Sequence, residues 1–222
     1  MKYSLFYLII SYIRRMSRVA ENITIALAID KYRKMTFAAD DGLSPDLMKI
    51  ARGYVENRAE MLRENIGLLL YGDVGTGKSY GAACIANRLI EQSIPACMIN
   101  LSTVLNSMGG FQSEEKNTYI SDLMRYPLLI LDDFGMERQT EYALEQVFNV
   151  IDARYRSGLP FIITTNLDKD ELTKTTEIGN IRIYDRVLEK CHPVKATGES
   201  RRRQKLKDDF GQIEMILKGE KQ

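Results

Sequence analysis

The chain has 222 residues and carries 31 Lys and Arg against 30 Asp and Glu, a formal net charge of +1. That length holds one α/β domain of about 150–200 residues with an appendage. Near-neutrality excludes a global field that draws the molecule onto nucleic acid, so any such contact has to come from a local patch.

The N-terminal stretch "MKYSLFYLIISYIRR" has an apolar run of roughly ten residues, against the about 20 that a membrane-spanning helix needs. No small-residue cleavage site follows it, and Arg14, Arg15 and Arg18 stand where a signal peptide would end. At helical spacing Leu5, Leu8, Ile9, Tyr12, Ile13, Met16, Val19 and Ile23 share one face. Lys2, Ser11, Arg14, Arg15, Arg18, Glu21 and Asn22 lie mostly on the other. Residues 1–35 therefore read as an amphipathic arm. It has three possible roles: packing on its own domain, docking a partner, or lying on a membrane surface by its basic side.

Residues 36–65 read as a linker helix region, with a turn at "DDGLSPD" and a helical run from Pro45 to about Glu64. Ser44 stands at the N-cap position, Pro45 at the first turn, and Leu47, Ile50, Ala51, Tyr54 and Val55 form the apolar face.

From residue 66 to 222 short apolar runs alternate with helical stretches. "IGLLLY" precedes a helix from Lys78 to about Gln92, and "ACMIN" precedes short helices up to about Met124. "PLLILDD" precedes a helix from about Thr140 to Arg156, "PFIITTN" precedes helical segments to Lys190, and "HPVKA" is a last short strand. Continuous apolar strands separated by helices predict a parallel sheet covered on both faces.

The chemistry concentrates in "GDVGTGKS", a complete G-x-x-x-x-G-K-S that follows a predicted strand and opens a predicted helix. Gly72, Asp73, Val74, Gly75, Thr76 and Gly77 form a loop whose backbone N–H groups cradle phosphate, and Tyr80 follows it. Lys78 reaches the β/γ phosphates of ATP, and the Ser79 hydroxyl ligates Mg²⁺ at the positive end of the helix. "LLILDDFG" ends a buried strand in Asp132, placed to organise Mg²⁺, with Asp133 next as the base or positioner for the attacking water. "IITTN" delivers Thr164, Thr165 and Asn166 to the same sheet edge, where a short amide can hold that water. Arg182 and Arg186 follow in "NIRIYDRVLEK". As surface charges they would pair with Asp185 and Glu189 at about 0.2–0.5 kcal/mol each. Cys84, Cys97 and Cys191 are too widely spaced for a C-x-x-C motif, and His192 is the single histidine. These residues imply reduced, near-core thiols in a cytoplasmic protein and no protein-built zinc site.

Together "GLLLYGDVGTGKS", "LLILDDFG", "GLPFIITTNL", "IRIYDRVLE" and "GESRRR" resemble the ATPase domain of the DnaC-type helicase loaders, AAA+ proteins similar also to IstB-type transposition helpers. The resemblance covers about Thr36 to Leu217 and implies a P-loop NTPase three-layer sandwich. Its five-stranded parallel sheet would have the P-loop strand central, with no substantial C-terminal lid domain. It also implies that Asn166 is sensor 1, that Arg186 is the arginine finger with Arg182 beside it at a subunit interface, and that Arg202 is the sensor 2 arginine among Arg201, Arg202 and Arg203. Ahead of Thr36 stands only the amphipathic arm, where loaders of this group carry a larger module, often with zinc-binding cysteines. The implied function is ATP-dependent loading of a replicative helicase on single-stranded DNA, with self-association on ATP binding and no membrane span. The alternative is a transposition helper that coats duplex DNA and recruits a transposase. A weakly hydrolysing nucleotide-dependent adaptor and a P-loop small-molecule kinase are further readings. DNA contact would use the "RRRQKLK" run or the basic side of the N-terminal arm.

Overall fold

The computed structural model describes residues 30–136, 140–201, 203, 206, 210, 213–215, 217 and 218. The amphipathic arm over residues 1–29, Arg202 and most of "RRRQKLK" thus lie outside the described residues.

In chain order the elements are α1 (Asp30–Arg33), a 3₁₀ turn (Phe37–Ala39), α2 (Pro45–Glu56), α3 (Arg58–Arg63), β1 (Gly67–Tyr71) and α4 (Lys78–Glu91). Then come β2 (Ala96–Asn100), α5 (Leu101–Met108), α6 (Ser113–Leu123), β3 (Leu128–Phe134), α7 (Glu141–Ser157) and β4 (Phe161–Thr165). The last are α8 (Lys169–Thr173), α9 (Ile178–Lys190) and β5 (Cys191–Lys195). The strands form one parallel five-stranded sheet in the order β2-β3-β4-β1-β5. The P-loop strand β1 is therefore interior but one place from the edge, between β4 and β5, and the middle strand is β4, a correction to the expected central position.

Alternation along each strand sends side chains to opposite faces, and both faces are covered. Leu69, Leu129, Leu131, Phe161 and Ile163 enter a core with α5, α6, α7 and α9. Leu68, Leu70, Leu128, Ile130 and Ile162 enter a second core with α1, α2 and α4. Three of the α4 residues in the second core, Ala82, Ala83 and Ala86, are small beside the larger Ile85 and Leu89, and the ideal Cβ of a residue in place of Gly81 would sit 3.3 Å from Leu47. This closeness lets α2 bury Leu47, Met48, Ala51, Tyr54 and Val55. Each large apolar side chain so buried contributes about 1.5–3 kcal/mol. The helical run expected to continue to about Glu64 breaks at Asn57, whose side-chain amide donates to the Gly53 carbonyl at 2.9 Å. Such local side-chain bonds compete with the helix's own ladder.

Arg154 of α7 fastens the entrances of β3 and β4. It is completely buried and donates to the carbonyls of Tyr126 (2.8 Å), Pro127 (3.1 Å) and Pro160 (2.6 Å). Burial pushes its guanidinium down to about 10. Among the described residues no helix is long and apolar enough to cross a membrane.

Candidate nucleotide-binding site

The loop from Gly72 to Gly77 joins β1 to α4 at the C-terminal edge of the sheet, so the N-terminus of α4 points its free N–H groups into the loop. Gly75 and Gly77 have φ of 89° and 94°, a left-handed backbone that a β-carbon penalises. A side chain on Gly77 would also run into the Arg201 guanidinium, 3.0 Å from the ideal Cβ. Lys78 is buried and curls back to donate to the carbonyls of Gly72 and Asp73, both at 2.6 Å. The Thr76 hydroxyl donates to the Asp73 carbonyl at 2.8 Å. Ser44 does not cap α2 through its side chain as its position suggested; its hydroxyl donates to the Thr76 carbonyl at 2.9 Å and braces the P-loop from outside.

β3 and β4 build the acidic side of the site together. Asp132 is fully buried, and its carboxylate accepts from the Thr164 hydroxyl at 2.6 Å and from the Tyr32 hydroxyl. Asp133 sits at a register shift between β3 and β4 with φ of 58°. Asp is among the few non-glycine residues that adopt this conformation readily, which gives the short acid at this position a backbone rationale. Its N–H donates to the Thr164 hydroxyl at 3.0 Å, and its Oδ2 accepts from the Asn100 amide at 3.0 Å. Asn100 ends β2 beside Asp132 in register and also caps α5 through Thr103 N–H at 3.3 Å. Asn166 follows β4 at the same edge and is half-buried. Lys78, Ser79, Asp132, Asp133 and Asn166 thus come from elements that end at one edge of the sheet. A hydroxyl at the start of α4 and a buried carboxylate at the end of β3 are hard oxygen donors, the kind that suit Mg²⁺ carried by a nucleotide.

Of the three candidate sensor arginines, Arg201 is the one that the described residues place on the loop. Its N–H donates to the Gly75 carbonyl at 3.0 Å, and its guanidinium lies 4.5 Å from the Tyr80 ring centroid. Its Nη1 and Nη2 lie 2.9 Å from Asp41 and 3.4 Å from Asp40. Arg182 and Arg186 are packed on α7 instead of on the partners expected for a bland role. Both guanidiniums stack on Phe148, at 4.4 and 5.0 Å from its centroid, and Arg186 Nε donates to Asp152 at 3.0 Å. Cys84, Cys97 and Cys191 are free and buried, and burial lifts the first two thiols to about 12.

Sequence reasoning missed Tyr32, Asn100, Ser44 as a loop brace and the double role of Thr164. Asn100 carried a legible signal, a polar residue ending a buried strand. Tyr32 carried none, because a tyrosine ahead of the domain has no spacing that links it to Asp132.

The model of the IstB-like ATP binding protein family matches residues 22–208. Among curated proteins, the replicative helicase loader DnaI of Bacillus subtilis is 28% identical over 147 residues, covering 61% of this chain and 47% of DnaI. The replicative helicase loader DnaC of Escherichia coli K12 is 29% identical over 143 residues, covering 62% of this chain and 55% of DnaC. The chain thus spans about half the length of these relatives. Among solved structures, a putative primosome component from Streptococcus pyogenes superposes with a TM-score of 0.66 at 25% identity, covering 82% of this chain and 97% of that one. A crystal structure of DnaI gives 0.63 at 22% identity, covering 76% and 94%, which speaks to the fold.

Proposed function

The chain belongs to the IstB-like ATP binding protein family, a group of P-loop AAA+ ATPases homologous to the DnaC and DnaI loaders, and from that premise we propose that it hydrolyses ATP to control a replicative helicase on single-stranded DNA. The observation that carries the reading is the gathering of Lys78, Ser79, Asp132, Asp133 and Asn166 at one sheet edge, with Thr164 and Asn100 fixing the two acids. Bound Mg²⁺ would neutralise charge developing on the β/γ phosphates. Ser79 and Asp132 would hold it, Lys78 would bind the phosphates, and Asp133 and Asn166 would orient the attacking water. Asn100 keeps the Asp133 carboxylate engaged at 3.0 Å, at the sheet edge where the water would be oriented. Arg186, with Arg182 beside it, would complete the site of a neighbouring copy. Such an arginine supplied in trans raises phosphoryl-transfer rates by about 10³–10⁵.

Immobilised chain with Mg²⁺ and a non-hydrolysable ATP analogue should retain the purified replicative helicase of its host, and Lys78→Ala should release it. Retention of a transposase on duplex DNA, with no helicase binding, would favour the transposition-helper reading, which the family description keeps open. Binding of neither partner by wild-type chain would overturn both.

A further inference from the structure

Tyr32 stands ahead of every motif of the nucleotide site, yet it is 1% exposed and its hydroxyl donates to Oδ2 of Asp132. The ring lies in the apolar core beneath α4 with Leu47, Ala83, Met98 and Ile130. Phenylalanine would satisfy that packing equally, so packing does not require the hydroxyl. Burying a hydroxyl is costly unless it is bonded, and here the acceptor is a carboxylate with no exposure of its own. The main chain of Tyr32 is gripped as well. The Asn87 amide of α4 donates to the carbonyls of Tyr32 and Met35, both at 2.8 Å. The residue is therefore pinned by the P-loop helix at its backbone and by the β3 acid at its tip.

We propose that Tyr32 is a positioning residue for the metal–nucleotide site: its hydroxyl and that of Thr164 clamp the Asp132 carboxylate in one orientation, so that metal binding depends on how α1 is seated. The proposal rests on the reading of Asp132 as the acid that holds Mg²⁺. The torsion that turns a carboxylate plane is broad and weakly restrained on its own. With one oxygen bonded to Thr164 on β4 and the other to Tyr32 from α1, the plane of Asp132 is fixed by two separate elements. A carboxylate has about four acceptor positions, so these two bonds leave capacity for a metal-bound water. Because Tyr32 belongs to α1, anything that displaces α1 loosens the acid. By reciprocity a bound metal–nucleotide strengthens the seating of α1.

The test uses the full chain and a fluorescent N-methylanthraniloyl ADP, titrated across a Mg²⁺ series and in EDTA. Tyr32→Phe should raise the Mg²⁺ concentration for half-maximal tight binding about tenfold, the scale on which outer-shell partners act, and should leave affinity in EDTA unchanged. An equal loss in Mg²⁺ and EDTA would mean a structural role only and overturn the proposal. So would an unchanged Mg²⁺ requirement, or a lower one, which would mean that the hydroxyl competes with the metal. If Tyr32→Phe folds poorly, 3-fluorotyrosine at position 32 replaces it. Its ¹⁹F resonance should shift with ADP and Mg²⁺ but not with ADP in EDTA, and a resonance that never moves overturns the proposal. Wild-type chain that binds no nucleotide even in excess Mg²⁺ would instead sink the site reading itself, and the proposal with it.

Discussion

Replacing Thr164 by valine removes one hydroxyl and nearly nothing else, yet the change should be felt on both acids. That hydroxyl donates to Asp132 Oδ1 at 2.6 Å and accepts from Asp133 N–H at 3.0 Å, in a residue that is 1% exposed. A bond to a charged group is worth about 1.5–3 kcal/mol and a neutral one about 1, so the loss should total about 2.5–4 kcal/mol. Tyr32 still holds the other oxygen of Asp132, which keeps the expected value near the lower end, about 3 kcal/mol. A domain stable by about 5–15 kcal/mol survives that loss, so the variant should fold and be measurable. Urea unfolding followed by circular dichroism should show a lower midpoint with an unchanged slope, because the surface exposed on unfolding is the same. Thr164→Ser, which keeps the hydroxyl, should recover most of the difference. A penalty for Thr164→Val below about 1 kcal/mol would refute the claim that the β4 hydroxyl organises the acids.

Arg154→Leu should cost at least about 2 kcal/mol in urea unfolding, since the buried carbonyls of Tyr126 and Pro160 lose their donor at about 1–3 kcal/mol each and the half-buried Pro127 carbonyl loses one as well; a near-neutral result would contradict the clamp. Arg201→Ala should weaken ATP binding about tenfold in calorimetric titration, the equivalent of one charge-assisted bond; an unchanged affinity would contradict a nucleotide-sensing role for Arg201 and leave the role with Arg202, where the resemblance places it. Burial lifts the Cys84 and Cys97 thiols from 9.0 to about 12, so the folded chain keeps protons that the unfolded chain sheds. Their contribution is complete below pH 9 and is lost as the pH rises toward 12. Stability should thus fall from about pH 9 upward toward pH 12, and the fall should be shallower in a Cys84→Ala, Cys97→Ala double variant. Equal falls in the two proteins would contradict that assignment.

The strands β1, β3 and β4 were legible because each is led by a short run of Leu, Ile and aromatic residues buried on both faces, a pattern that survives without knowing its neighbours; β2 carries Cys97 and Met98 instead, and the edge strand β5 keeps only Cys191 and Val194 buried. Their order was not, since the run that forms β1 carries nothing to say that it lies beside β5 rather than in the middle. In the site, the P-loop and Asp132 were legible because their chemistry is local: contiguous glycines, one lysine, one acid at a strand end. The residues that hold that chemistry in place come from distant segments. Tyr32 and Asp132 are 100 positions apart, Ser44 and Thr76 32 apart. The intramolecular contacts of Arg186 were illegible for the same reason, because helical spacing offers Glu189 whereas the packing of α9 on α7 offers Asp152 and Phe148.

The most direct test of the account is the rate of ATP hydrolysis per chain as protein concentration rises, measured for wild type and for Arg186→Ala. The account predicts that the wild-type rate climbs as copies assemble, while Arg186→Ala binds ATP with wild-type affinity and stays at a low, flat rate. A wild-type rate independent of concentration, left unchanged by Arg186→Ala, would contradict the claim that each copy completes its neighbour's site.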